Sequence, residues 1–185
     1  MTTVGPNSAG NAASIADANE GWTLSAAVLS SSDDSYANVQ TLATSGNTEL
    51  LAATQFGFAI PASTINGITV EIEASDGGTS QDTAIDLVRL TKDGTTGVGS
   101  DLEVGSQALT LTDTYYTYGD AANLWGTTWT VSEINASTFG VLVRGLGVEA
   151  GNAGSIWIDH IRITVEYTAA GIPVKMASYR RRRAA

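Results

Sequence analysis

The feature that most constrains the fold is a strict alternation of apolar and polar residues in two separate segments. Residues 68–74 and 161–167 place an aliphatic or aromatic residue at every second position, with threonine or a charged residue between. Because the side chains of a β-strand point to opposite faces in turn, each segment is predicted to be a strand with one buried and one wet face. Further strands are predicted at 12–18, 35–42, 50–59, 84–91, 106–112, 114–118 and 139–143.

Turn residues separate these segments, and no window longer than about two turns has helical periodicity. The chain is therefore predicted to be all-β, an antiparallel β-sandwich that is jelly-roll-like. The patterning places the sandwich domain at residues 13–169, with an extended N-terminal arm at 1–12 and a basic C-terminal arm at 170–185. The apolar residues of Ile156-Trp157-Ile158 are out of phase with 161–167, which predicts a bulge near Asp159-His160.

Residue types that are absent or rare narrow the chemistry. The sequence has no cysteine and one histidine, which excludes disulfides, thiolate metal sites and histidine clusters. No nucleophile motif such as Gly-x-Ser-x-Gly occurs, so we predict no enzyme activity, no catalytic residue and no cofactor. No apolar run approaches the roughly 20 residues of a membrane span, and no secretory signal is visible, so we expect synthesis in a cytoplasm.

Charge is divided unevenly along the chain. Residues 1–174 hold all 19 acidic residues and four basic ones, a net charge of −15, whereas residues 175–185 carry +5. An acidic body is repelled by nucleic acid, which disfavours that partner. The basic segment is equally consistent with docking on an acidic surface of a neighbouring subunit and with a solvated end. The residues predicted to bind a partner are Lys175, Tyr179, Arg180, Arg181, Arg182 and Arg183.

Two acidic elements are candidates for a site. Asp33-Asp34 lies among serines and could supply oxygen ligands for calcium, but its spacing is not that of an EF-hand loop. A turn whose aspartates accept backbone N–H bonds is favoured, and no metal site is predicted. Asp159-His160 could serve acid–base chemistry, but an aspartate that bonds the backbone at a strand irregularity, beside an ordinary histidine, is favoured.

Several short motifs of the chain are distinctive when they are taken together. They are Trp22, Asp33-Asp34-Ser35-Tyr36-Ala37, Gly57-Phe58-Ala59-Ile60-Pro61, Ile65-Asn66-Gly67-Ile68, Leu124-Trp125-Gly126-Thr127-Thr128-Trp129-Thr130 and Asp159-His160-Ile161. Together they resemble uncharacterised virion structural proteins of tailed phages, of the decoration or fibre type. The resemblance covers most of residues 20–168 and implies a jelly-roll-like component of a virus particle.

On this resemblance the chain is expected to be a capsid decoration or cement protein that stabilises the shell through subunit contacts. Its expected partners are other virion proteins, above all the major capsid protein, and further copies of itself in a homo-oligomer such as a trimer. It would reside in the virion after assembly in the host cytoplasm, with no membrane contact.

The alternative function is a receptor- or glycan-binding module of a tail or head fibre, in which aromatic rings stack on sugars. Packing in the core is favoured over this role for the tryptophans of such a sandwich. The candidate glycan-binding residues are Tyr115, Tyr116, Trp125 and Trp129.

Overall fold

The computed structural model describes residues 1–16, 19–24, 29–42, 46–78, 81–148 and 154–170, with the backbone alone at positions 41 and 42. Strands dominate this part of the chain, and its one helix has a single turn. The elements are β1 (Thr2–Ser8), β2 (Asn11–Ile15), β3 (Ala37–Leu42), β4 (Leu50–Thr54), β5 (Ser63–Asp76), β6 (Thr83–Thr91), β7 (Gly97–Val98), β8 (Gln107–Ala108), β9 (Thr114–Asp120), α1 (Val131–Ile134), β10 (Gly140–Gly147) and β11 (Gly154–Ala169).

Two antiparallel sheets face each other. The first has the strand order β1–β11–β5–β9, and β3 also pairs with β11, on the edge that β1 occupies. The second has the order β2–β4–β10–β6–β7, and β8 also pairs with β6. From β1 to β6 successive strands alternate between the two sheets, as they do from β9 to β11. The predicted all-β antiparallel sandwich of jelly-roll-like build is confirmed.

The core between the sheets is built by the alternation visible in the sequence. Ile68, Val70 and Ile72 of β5 are completely buried, as are Ile163 and Val165 of β11. Full burial of one such side chain contributes about 1.5–3 kcal/mol, so these rows are a main source of stability. The intervening polar residues of both strands lie on the outer face of the first sheet.

The predicted bulge in β11 is confirmed. The register between β11 and β5 shifts between Ile158 and His160, which leaves Asp159 as the extra residue. Ile156 and Ile158 are buried in the core before the shift, and Ile161, Ile163 and Val165 are buried after it. An extra residue changes the phase of alternation, so the bulge lets both halves of the strand face the same core.

The N-terminal segment differs from the predicted arm at residues 1–12. β1 pairs with β11 in the first sheet, and β2 pairs with β4 in the second. Between the two strands the backbone N–H groups of Ala9 and Gly10 donate to β11 and β4, each at 3.0 Å. Val4 is the one aliphatic residue of β1, so backbone hydrogen bonds hold the strand and its sequence has little apolar periodicity.

The predicted basic arm at residues 170–185 lies outside the described residues from position 171 onward. At its start the N–H of Ala170 donates to the carbonyl of Ala62 at 3.0 Å, which continues the pairing of β11 with β5 by one residue. In the part of the chain that the structure describes, no helix is long and apolar enough to span a membrane.

Candidate functional site

Polar side chains gather on the outer face of the first sheet, where β11, β5 and β9 lie side by side. His160 on β11 is opposite Glu73 on β5, and Glu73 is opposite Tyr115 on β9. The loop of residues 29–36 lies along the same part of β11, between β3 and β1. We call this group the outer-face cluster. Its members are Asp33, Asp34, Tyr36, Glu73, Asp113, Tyr115, Asp159, His160 and Arg162.

Asp33 forms the predicted turn inside the loop of residues 29–36. One of its carboxylate oxygens accepts a hydrogen bond from the Ser31 hydroxyl at 2.7 Å, and the other accepts the N–H of Ser35 at 3.1 Å. The hydrogen bonds of Ser31 and Ser35 hold the pKa of Asp33 below its usual value of 3.8. The interpretation of this aspartate as a turn residue that accepts a backbone bond is confirmed.

The carboxylate of Asp159 joins this loop to the bulge of β11. Its Oδ2 atom accepts the N–H groups of Asp33 and Asp34 at 3.1 and 3.3 Å, and its Oδ1 atom accepts that of Ser35 at 3.1 Å. Asp159 is only 1% exposed, and burial raises its pKa above the usual 3.8, although the loop N–H groups act in the opposite direction. The predicted role, a backbone-bonding aspartate at a strand irregularity, is confirmed.

Asp113 immediately precedes β9 and contacts the loop through Tyr36. It accepts a hydrogen bond from the Ser75 hydroxyl at 2.7 Å, and its Oδ2 atom lies 2.8 Å from the Tyr36 hydroxyl. That hydroxyl also lies 3.2 Å from Oδ1 of Asp34. A phenol donates one hydrogen, so only one of these two carboxylates can receive it. Burial, helped by both carboxylates, raises the pKa of Tyr36 and keeps the phenol protonated.

Three carboxylates therefore converge where the loop, the bulge and the start of β9 meet. Asp34, Asp113 and Asp159 each place one oxygen within 4.8 Å of the other two. We call these three residues the acidic triad. The sequence singled out two of its members but not Asp113, whose contact with Tyr36 spans 77 positions. The available signal was that a polar residue stands directly before the strand predicted at 114–118.

His160 connects three strands of the first sheet. Its Nε2 atom lies 2.8 Å from the Ser8 hydroxyl on β1, and its Nδ1 atom lies 2.8 Å from the Tyr115 hydroxyl on β9. Burial, together with the charge of Arg162, lowers the pKa of His160 below its usual 6.5 and favours the neutral ring. Proton transfer to a substrate would require one of these two hydrogen bonds to break.

Arg162 completes the polar row on β11. Its guanidinium forms two parallel hydrogen bonds of 2.9 Å to Glu71, and its Cζ atom lies 4.2 Å from the centre of the Tyr115 ring. One face of that ring is therefore covered by the guanidinium. Glu71 and Glu73 were both predicted on a solvated face, which is wrong for Glu73, because it is only 8% exposed.

The predicted glycan-binding tryptophans are core residues. Trp125 is completely buried and donates its indole N–H to the carbonyl of Ile68 at 2.9 Å. Trp129 is 7% exposed, and its ring packs edge-on against Phe139 with centres 5.3 Å apart. Neither ring can stack on a sugar from outside, so their assignment as glycan-binding residues is wrong. Both side chains pack in the core between the sheets, which is the role that the sequence analysis favoured for the tryptophans.

Tyr115 and Tyr116 are half-buried, and both are committed to internal contacts. The Tyr115 hydroxyl contacts His160, and the Tyr116 hydroxyl accepts the N–H of Thr110 at 3.0 Å. Because these contacts fix both phenols within the sheet, Tyr115 and Tyr116 do not form an open aromatic platform. The predicted partner-binding residues Lys175, Tyr179, Arg180, Arg181, Arg182 and Arg183 lie outside the described residues.

Each basic residue that the structure describes is engaged inside the chain. Three of the four form salt bridges, and the fourth, Arg89, donates to the carbonyl of Gly99. The salt bridges are Lys92–Glu133 at 2.8 Å, Arg144–Asp86 at 2.9 Å and Arg162–Glu71 at 2.9 Å. Within the described sandwich, every lysine and arginine is thus already engaged, and none is left over to balance the remaining carboxylates.

Comparisons with known proteins give little further information. No family model matches the sequence, and a search of curated proteins finds no match. Among solved structures, the chain is similar to the N-terminal cellulose-binding domain from Cellulomonas fimi β-1,4-glucanase C, with 17% sequence identity over 76% of this chain and 84% of that one. The TM-score of 0.39 is too low for us to base a functional argument on this likeness.

Proposed function

We propose that this chain is a non-enzymatic structural protein of a tailed-phage particle, a capsid decoration protein that stabilises the shell through contacts between subunits. The observation that carries the proposal is the separation of charge. The described sandwich has acidic residues in excess and uses each of its basic residues internally, whereas the sequence of residues 175–185 is strongly basic.

This separation favours contacts between molecules. Arginine forms bidentate hydrogen bonds with carboxylates, and four consecutive arginines, Arg180 to Arg183, can engage several at once. The acidic sandwich of an adjacent copy, or an acidic surface of the major capsid protein, is a complementary target. Nucleic acid is a poorer target, because the sandwich repels phosphate. Each contact made only in the assembled particle stabilises that particle by mass action.

A non-enzymatic role is supported by the state of the single histidine. Both ring nitrogens of His160 have hydroxyl partners, Ser8 and Tyr115, and these bonds tie three strands together. The adjacent Asp159 uses both carboxylate oxygens to hold a loop. General acid–base catalysis needs a group within hydrogen-bond reach of a substrate, and these two residues serve the fold instead.

The test is binding to particles that contain the other structural proteins but lack this one. Three variants are compared with the intact chain by co-sedimentation: deletion of residues 172–185, substitution of Arg180 to Arg183 by glutamine, and substitution of the same four by lysine. We expect the deletion and the glutamine variant to lose about tenfold or more in affinity, with the largest loss at low salt.

The lysine variant is the matched control, because it keeps the charge but cannot form bidentate bonds. We expect it to bind with an affinity between those of the intact chain and the glutamine variant. Full-strength, salt-independent binding of the chain that lacks residues 172–185 would contradict attachment through the basic segment. Failure of the intact chain to bind such particles at all would contradict the decoration role itself.

A further inference from the structure

His160 joins two strands of the first sheet that differ in how firmly they are held. Its Nε2 atom contacts the Ser8 hydroxyl on β1, and its Nδ1 atom contacts the Tyr115 hydroxyl on β9, both at 2.8 Å. The side chain is only 7% exposed, and the ring edge that carries Nε2 faces β1. A displacement of β1 would therefore open this edge of the ring to water.

β1 is the less firmly attached of the two strands. Its pairing with β11 is interrupted between Val4 and Asn7, and Pro6 within that gap has no N–H to donate. Val4 is the one aliphatic residue of β1 and is only partly buried. By contrast, all seven residues of β9 pair with β5 in unbroken register, and Tyr118 is buried in the core. A disturbance at His160 is thus expected to release β1 before β9.

The charged groups around the His160 ring belong to elements other than β1. They are Arg162 and Asp159 of β11, Glu71 and Glu73 of β5, and Asp33 of the loop of residues 29–36. β9 contributes the Tyr115 phenol, which keeps its hydrogen because burial and Glu73 raise its pKa. β1 itself contains no charged residue. Release of β1 would therefore change the burial of the ring and leave its charged neighbours in place.

A neutral imidazole suits the arrangement in which β1 is attached. One ring nitrogen then accepts and the other donates, and the hydroxyls of Ser8 and Tyr115 can each take either role. A protonated ring donates from both nitrogens, so the Ser8 hydroxyl has to turn its hydrogen elsewhere. Burial, together with Arg162, lowers the pKa of His160 below its usual 6.5 while β1 is attached, whereas a ring open to water is relieved of the burial. Acid therefore favours the arrangement in which β1 is released.

We propose that the contact between His160 and Ser8 is a pH-sensitive switch, which holds β1 against β11 when the ring is neutral and releases β1 when the ring is protonated. The attachment of β1 is strongest above pH 6.5 and weakens as the pH falls through the lower pKa of the attached state. Release leaves the edge of β11 along residues 162–167 without its partner strand. This proposal is independent of the decoration role, since it concerns one strand within a single sandwich.

The experiment is hydrogen exchange of the full-length protein, expressed as protection factors so that the intrinsic effect of pH on exchange is removed. The reporters are the N–H groups of β1 and that of Ala9, which donates to the carbonyl of Ile161 at 3.0 Å. The reference is the pairing of β4 with β10 in the second sheet. We expect protection of β1 to fall about threefold or more between about pH 7.5 and pH 5, and protection of the reference to fall less. The ring signal of the single histidine should titrate over the same range.

His160→Gln keeps hydrogen-bonding groups at this position but does not titrate, so we expect its β1 protection to stay nearly constant over this pH range. Thr3→Val is the matched control, because it removes a different bond between β1 and β11, that of the Thr3 hydroxyl to Glu166 at 2.8 Å, and leaves His160 unchanged. We expect it to lower β1 protection at each pH and to retain the fall in acid.

Circular dichroism of each variant establishes that it is folded. If His160→Gln does not fold, the unmodified chain still provides a test, because the loss of β1 protection should follow the titration of the histidine signal. Constant β1 protection in the unmodified chain, an equal fall in the second sheet, a fall that does not follow the histidine signal, or an equal fall in folded His160→Gln would overturn the proposal.

Discussion

Substitution of Asp159 by alanine removes the acceptor of three backbone N–H groups, those of Asp33, Asp34 and Ser35. Both residues of the Asp33-Asp34 pair are exposed, so the released donors can turn to water and do not incur the full penalty of a buried unsatisfied group. A net loss of about 1 kcal/mol for each bond is then appropriate. We expect Asp159→Ala to lower the free energy of unfolding by about 3 kcal/mol.

Asp159→Asn separates the contribution of shape from that of charge. Asparagine has nearly the same size and retains one carbonyl oxygen, which can still accept the two bonds that Oδ2 accepts from Asp33 and Asp34. Its amide nitrogen would face the N–H of Ser35, where two donors oppose each other. We expect a loss of about 1–2 kcal/mol, smaller than that for alanine.

Equilibrium unfolding in urea, followed by tryptophan fluorescence, measures the free energy of unfolding of both variants. Hydrogen exchange provides a local measurement, since the N–H groups of residues 33–35 should exchange faster in both variants than in the unmodified chain. Asp120→Asn, which alters an exposed carboxylate, should stay within about 0.5 kcal/mol of it. A loss below about 0.5 kcal/mol for Asp159→Ala, or a larger loss for asparagine than for alanine, would refute the assigned role of this carboxylate.

Two further predictions concern His160 and Trp125. Because burial holds the folded-state pKa of His160 below 6.5, its stabilising contribution is present above pH 6.5 and is lost as the pH falls through the folded-state value. We expect His160→Gln to flatten the dependence of the urea midpoint on pH just below 6.5, and an unchanged slope would contradict this assignment. Trp125→Phe leaves the Ile68 carbonyl without its indole donor and leaves a cavity in the core, so we expect a loss of about 2–4 kcal/mol by urea unfolding. A loss no greater than that of the half-buried Tyr116→Phe would contradict a core role for Trp125.

The strands of this chain were predictable where one face is buried and the other is wet. Residues 68–74 of β5 and 161–167 of β11 alternate strictly in sequence, and the change of phase between Ile158 and Ile161 predicted the bulge at Asp159. The same reasoning places Trp157 outward, because Ile156 and Ile158 on either side of it are buried. In each case the alternation of apolar and polar residues follows directly from the two-residue period of side chains along an extended backbone.

Two parts of the structure left no local pattern to read. β1 is held by backbone hydrogen bonds to β11, which any residue except proline can donate. Its sequence is mostly polar and shows no apolar alternation, so it was predicted to be an extended arm. The acidic triad combines Asp34, Asp113 and Asp159, whose proximity depends on which strands are neighbours in the sheet. Strand order is set by long-range packing, and a single sequence does not display it.

The pairing of β1 with β11 also sets the order in which the sandwich can be completed during synthesis. Thr2 lies opposite Tyr167, and Ser8 lies opposite Arg162, so β1, the first strand of the sandwich to be made, must wait for β11, the last one. Until then β1 has no strand partner, and the first sheet also lacks its central strand, since β11 joins β1, β3 and β5. Contacts so distant in sequence are expected to make folding slow and to leave an incomplete nascent chain open to aggregation.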